Sequence, residues 1–267
     1  MTTLIDDNRS DGREQRFIAQ VRQALGVSAA TAGRRRASLF DQRNRPAGEA
    51  LLQAARNRSP AQREVLLTLL QERAQPLNLK IHPQPGYGAA AAAIGRLVTG
   101  KAPEWGTAKS VVAWDHERVR RLDLPQVLAP GGVPVAFAPG RDADEAARAA
   151  FRRQVTGAFV GVTTADWCVA DTATLAMKTR PGQARSVSLV PSIHVAVVAI
   201  DQLLADLREL YAHLKWNPDE KSEGLTNCLS LISGPSKTAD IELVMVHGAH
   251  GPRELHLFVV KDSSSQD

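Results

Sequence analysis

Apolar positions in the first quarter of the chain recur every three to four residues. In "EQRFIAQVRQAL", residues 14–25, Phe17, Ile18, Val21 and Leu25 fall on one stripe, which predicts a helix stopped at Gly26. Two more helices are predicted over Glu49–Arg56 and Pro60–Ala74. Ser59 stands at the N-cap of the second, with Pro60 at its first position. From residue 77 the pattern changes to short apolar runs alternating with helical stretches. "LNLKIH", "KSVVAW", "VPVAFA" and "AFVGVT" read as strands. "YGAAAAAIGRLVTG", "DHERVRRL" and "DADEAARAAFRRQV" read as the helices between them. This alternation predicts a parallel sheet with helices on its faces. After Thr163 the alternation breaks: "ATLAMK", "RSVSLV" and "IHVAVVAI" follow with little room for helices, which predicts a more antiparallel insertion or sheet extension. "DQLLADLRELYAHL" is then expected as a helix from Asp201, "LHLFVV" as the last strand and "KDSSSQD" as a polar tail. The chain therefore divides into a helical, basic N-terminal arm (1–75), an α/β body (76–260) and a tail (261–267).

Composition narrows the function classes. Of 267 residues 43% are hydrophobic but only 4% aromatic, so Ala, Val, Leu and Ile must fill the core. The formal charge is +5, and five arginines lie between Gly33 and Pro46 against the single Asp41. No aromatic motif accompanies that run, so a solvated or partner-docking loop is expected there rather than a nucleic-acid site. Two cysteines, Cys168 and Cys228, cannot by themselves hold a four-cysteine zinc or iron–sulfur centre. Without an apolar leader or a run of 18 apolar residues, a cytoplasmic protein with no membrane span is expected.

Two polar segments could carry chemistry. "ISGPSKTADIELVMVHGAHGP", residues 232–252, contains Lys-Thr but lacks the glycine that a phosphate loop places before its lysine. His247 and His250 sit on a Gly-rich turn rather than on a helix that would fix a metal-binding spacing, so no metal is expected. The run "IELVMV" is either a helix capped by Thr238 or a strand. A helix would leave its first amides beside Ser233, Ser236 and Lys237 for an anion, unless Asp240 takes them. The second segment, "GVTTADWCVADTATLAM", follows a strand end, where ligands of open α/β sheets gather. Asp171 there is either a base or a turn-pinning carboxylate. Cys168 reads as core and His194 as a structural histidine.

Taken together, "GVTTADWCVADTATL", "SLVPSIHVAVV" and "SGPSKTADIELVMVHGAHGP", in that order, resemble the LUD domain of bacterial lactate utilisation proteins. The opening "FIAQVRQALG" resembles the first helix of the C-type members. The resemblance implies the Rossmann-like fold of ribose-phosphate isomerases, glucosamine-phosphate deaminases and CoA transferases, with an added β layer. It also implies a part in oxidation of L-lactate to pyruvate, beside a cysteine-rich subunit and an iron–sulfur subunit that hold the clusters, with no cofactor bound by this chain alone. Matching the motif carries over Thr163, Asp166, Asp171, Thr172, Thr174, Pro191, His194, Gly234, Pro235, Ser236, Thr238, Asp240, Glu242, His250, Gly251 and Pro252. A small carboxylate or nucleotide is thus expected between Thr163, Thr164, Asp166, Thr172 and Thr174 on one side and Ser233, Gly234, Ser236, Lys237, Thr238 and Asp240 on the other. Asp171 and His250 are the acid–base candidates. Two departures stand out: Asp171 and Ala173 replace the usual Glu and Gly of the family. The fold's relatives also suggest an alternative, an independent enzyme acting on a phosphorylated or CoA-linked small molecule.

Overall fold

The computed structural model describes residues 8–26, 45–103, 106–223, 226, 228–239, 245–247 and 250–262. The chain forms two compact units, residues 1–48 and 49–267. Most of the arginine-rich run, residues 33–44, lies outside the described residues. In chain order the helices are α1 (Asn8–Ala24), α2 (Arg45–Arg56) and α3 (Pro60–Ala74). Then come β1 (Leu79–Gln84), α4 (Tyr87–Gly100), β2 (Val111–Ala113), α5 (Glu117–Arg120), α6 (Leu124–Leu128), β3 (Val135–Phe137), α7 (Glu145–Thr156) and β4 (Val160–Thr164). The remainder comprises β5 (Trp167–Val169), β6 (Thr174–Lys178), α8 (Ser186–Leu189), β7 (Ile193–Ala199), β8 (Leu203–Leu204), α9 (Leu207–Trp216), α10 (Pro218–Glu223), β9 (Leu229–Ile232), β10 (Lys237–Ala239), β11 (Met245–His247) and β12 (Glu254–Val260).

The body is α/β. Its main sheet has six strands in the order β1-β12-β7-β4-β2-β3, all paired parallel. A second sheet, ordered β8-β5-β6-β9, forms the added β layer. Alternation along its strands explains how it sits. Cys168, Leu175, Met177 and Leu203 face the main core, whereas Trp167, Val169, Ala176 and Leu204 turn to the other side and pack with Leu210 of α9. β7 and β12 are buried over almost their whole length, as central strands covered on both faces must be. Local chemistry sets the helix starts. Ser59 and Gln62 form a reciprocal capping box at α3. The Asp144 carboxylate accepts from Ala147 N–H at 2.7 Å, and Asp206 does the same for α9.

Several expectations are corrected. Ile193–Ala199, expected in a more antiparallel insertion or sheet extension, is a central parallel strand between β12 and β4. Its near-continuous apolar run, interrupted only by the buried His194, is the mark of a strand buried on both faces. "RSVSLV" forms the short helix α8, whose Val187 carbonyl lies against Gly161 of β4. The helix expected from Asp201 begins only at Leu207, because Leu203 and Leu204 pair with β5 as a strand. Helix α3, expected in an N-terminal arm, buries Leu66, Leu67, Leu70 and Ala74 in the core of the body. Lys237–Ala239 is a strand paired antiparallel with Met245–His247, so no helix starts at Thr238.

Candidate functional site

In a parallel sheet a crevice opens where neighbouring strands send their connections in opposite directions. Here that point lies between β2 and β4. The chain leaves β2 for the edge strand β3, but leaves β4 towards β7. A cavity of about 480 Å³ opens at this place, built from the carboxyl ends of three strands. Trp114, His116 and Arg118 follow β2, Thr164 ends β4 with Ala165 and Asp166 after it, and Asp201 and Gln202 follow β7. Trp167, Arg180 and His213 close it from the added layer and α9.

The walls are held by hydrogen bonds that leave few groups loose. The Trp114 ring N–H donates to the Ala184 carbonyl at 2.9 Å. The Gln202 amide ties the β7 end to the β4 end by donating to the Ala165 and Asp166 carbonyls at 2.6 and 3.0 Å. The Asp166 carboxylate accepts from Lys178 N–H at 2.6 Å and pairs with the Arg180 guanidinium at 2.7 Å. Arg180 also grips Glu223 of α10 through two nitrogens. Burial works against the Arg180 charge, but Glu223 and Asp166 more than offset it and hold the guanidinium above its ordinary range. Glu223 is in turn held down to about 2, chiefly by its hydrogen bonds from Arg180. Lys178, almost fully buried, is clamped between Glu220 and Glu223 and secures α10 as a wall of the cavity.

Two histidines are chemically distinct within this frame. His116 Nδ1 accepts from Arg118 N–H at 3.1 Å, so in the neutral ring the proton sits on Nε2. Burial, then the nearby Arg118 charge, pushes the His116 pKa down, which favours that neutral ring. His213 is tilted against Trp167 with ring centroids 5.4 Å apart. Both its ring nitrogens are buried and have no hydrogen-bond partner among the described residues. Its pKa is lowered, first by burial and then by Arg56. Buried polar groups are ordinarily hydrogen-bonded, so this imidazole stands apart from the other groups of the cavity wall.

The residues chosen from sequence are divided among separate places. Thr164 and Asp166 line the cavity. Thr163 is fully buried on β4 with its hydroxyl 2.8 Å from His194 Nε2, and burial lowers the pKa of this structural histidine to about 3. Thr174 does meet the Gly-Pro block: its hydroxyl lies 2.7 Å from that of Ser233 and 2.8 Å from that of Thr172. This trio is not part of the cavity lining. Gly234 approaches the Leu77 carbonyl, Lys237 donates to the Pro76 carbonyl and Ser236 N–H to the Pro252 carbonyl. These contacts put the block at the amino ends of β1 and β12, the edge opposite the cavity. Asp171 is half exposed and 3.4 Å from Arg73, and His250 is exposed. Ala173 takes a left-handed φ of 46°, a conformation that a glycine would adopt without strain. The Thr238 side chain and all of Asp240 and Glu242 lie outside the described residues.

His116, Arg118, Arg180 and His213 escaped the sequence reading. The signal for the first two was present, since "KSVVAW" also ends a strand and the residues after it belong to the same edge. Arg180 and His213 carried no local signal.

The LUD domain, as a family, matches residues 67–260. This chain belongs to the LUD-domain family. The lactate utilization protein C of Shouchella clausii is 34% identical over 155 residues, 58% of this chain and 64% of that protein. Its counterpart from Halalkalibacterium halodurans is 33% identical over 160 residues, with the same coverage, and the uncharacterized protein YkgG of Escherichia coli is 27% identical over 154 residues. This chain thus spans just under two thirds of the length of these relatives. A DUF162 family protein from Deinococcus radiodurans of known crystal structure aligns with 74% of this chain and 98% of its own, at a TM-score of 0.48 and 20% identity. In this LUD domain the thiol of Cys168 is buried and pushed up to about 12 by burial. Among the described residues no three of His, Cys, Asp and Glu are grouped as metal ligands.

Proposed function

We propose that this LUD domain serves lactate utilisation by holding a small hydroxy- or keto-carboxylate in the cleft at the carboxyl edge of its main sheet. The observation that carries the reading is His213, a buried and unpartnered imidazole in a cleft that also presents His116 and Arg118. Arg118 supplies the cation for a carboxylate. His116 offers its Nε2–H as a donor, and neutral His213 has one donor and one acceptor: a 2-hydroxyl can use both, whereas a 2-keto oxygen takes donors alone. Thr164 and Asp166 complete the wall, and the Asp166–Arg180 pair keeps it rigid.

In this reading the chain binds and orients. Oxidation of L-lactate to pyruvate removes two electrons, and the iron–sulfur and cysteine-rich partner subunits receive them. The relatives named for lactate utilisation support the role in lactate utilisation. Thermal unfolding with L-lactate, pyruvate and oxalate tests the binding step. A ligand at a hundred times its Kd stabilises by about 2.7 kcal/mol, which corresponds to a shift of about 5–10 °C. The shift is expected to vanish in Arg118→Gln and His213→Ala. No shift with any of the three carboxylates, or an equal shift in both variants, would overturn the reading. Affinity purification from the native host tests the assembly, through recovery of cysteine-rich and iron–sulfur proteins.

A further inference from the structure

Beside the cleft lies a second cavity of about 440 Å³ whose lining differs sharply in charge. It runs from the loop after β3 along one side of α7 to the turn after β6, and Arg180 and Gln183 belong to both cavities. Four arginines line it, Arg141, Arg148, Arg152 and Arg180, and no carboxylate does. The Arg148 guanidinium donates to the main-chain oxygens of Ala143 and Arg141 at 3.0 and 2.8 Å, so its fork is held in place without loss of charge. Arg152 pairs with Glu145 and Arg180 with Asp166 and Glu223, whereas Arg141 is exposed at the rim. The N-terminus of α7 supplies little here, because Asp144 already takes its Ala147 amide.

Planar guanidinium forks set around a concave space match the geometry of phosphate oxygens. We propose that this groove is a phosphate-binding subsite, contiguous with the cleft through Arg180 and Gln183, and that it takes the phosphoryl or diphosphoryl group of a phosphorylated small molecule. The floor favours a small molecule over a polymer. Phe151, Gly182 and Gln183 are buried, so the space is bounded, and no exposed aromatic offers a base a stacking surface. The inference goes beyond the carboxylate reading and does not depend on it.

Titration of the full chain with inorganic pyrophosphate, followed by calorimetry at low and at physiological salt, tests the subsite. Binding of one pyrophosphate per chain is expected, weakened about tenfold by Arg141→Gln and again by Arg152→Gln, the usual loss for one charge-assisted contact. Both residues are exposed, so both variants should fold, and an unchanged melting temperature without ligand checks this. His213→Ala, placed in the other cavity, should leave pyrophosphate binding intact. Pyrophosphate binding that survives when no carboxylate binds would sink the carboxylate reading alone, and the reverse result would sink the subsite alone. The subsite is also overturned by absence of saturable binding at low salt. Affinity unchanged in both arginine variants would do the same. So would binding that strengthens with the length of a single-stranded oligonucleotide, which marks a general polyanion surface.

Discussion

Gly161 sits in the middle of β4, where α8 crosses closest to the sheet. A Cβ added there would lie 3.0 Å from the Val187 carbonyl carbon and 3.1 Å from Pro191 Cγ, with the Val187 carbonyl oxygen nearer still. Ordinary contact distances are about 3.5–4.0 Å. The colliding atoms are mostly backbone, so no rotamer change can relieve the clash. Either α8 or the central strand must move, by about 1 Å or more on the same distances. Overpacking of a rigid core costs about 1–3 kcal/mol, and a backbone collision belongs at or above the top of that range. Gly161→Ala should therefore lower stability by about 3 kcal/mol or more, read in urea as a lower midpoint with an unchanged slope. The control is Gly157→Ala. Gly157 has φ −96°, and a Cβ there meets nothing within 4 Å. It should be neutral or stabilising by about 0.5 kcal/mol. The change at 161 should also weaken carboxylate binding, because α8 follows the Gln183–Ala184 segment that anchors Trp114 in the cleft. A Gly161→Ala protein within about 1 kcal/mol of the parent, the size of an ordinary surface change, would refute this reasoning.

Acid should destabilise the body through its buried histidines. His194 is neutral in the fold down to about pH 3, whereas the unfolded chain protonates it near the ordinary value of 6.5. Between those values the unfolded state binds one more proton, so stability falls as pH falls, by at most about 1.4 kcal/mol per unit. His194→Gln should flatten the stability-versus-pH curve between pH 6 and 4 by about one proton, and an unchanged slope would contradict the burial argument. Lys178→Met should cost about 3 kcal/mol, because it leaves Glu220 near a buried site without its cation. Adding Glu220→Gln should recover much of that loss, and hydrogen exchange should show α10 loosened in the single variant but not in the double. If Lys178→Met proves neutral in urea, the clamp does not hold α10.

The sequence by itself determined whatever rests on local period and short-range chemistry. The Ser59–Pro60 start marked α3, and "YGAAAAAIGRLVTG" marked α4 to the residue. The strand–helix alternation declared a parallel sheet, and the Gly-Pro block declared the family. Only the tertiary structure decided which strands are neighbours. "IHVAVVAI" looks the same whether it extends an antiparallel layer or fills the centre of a parallel one, because an apolar run records burial and not its partner. The same holds for the site. Thr164 and Asp166 were legible because they follow a strand, but His116, Arg180 and His213 reach the cleft from three distant parts of the chain. The switch point between β2 and β4 brings them together, and strand order is a property of long-range packing that no local pattern encodes.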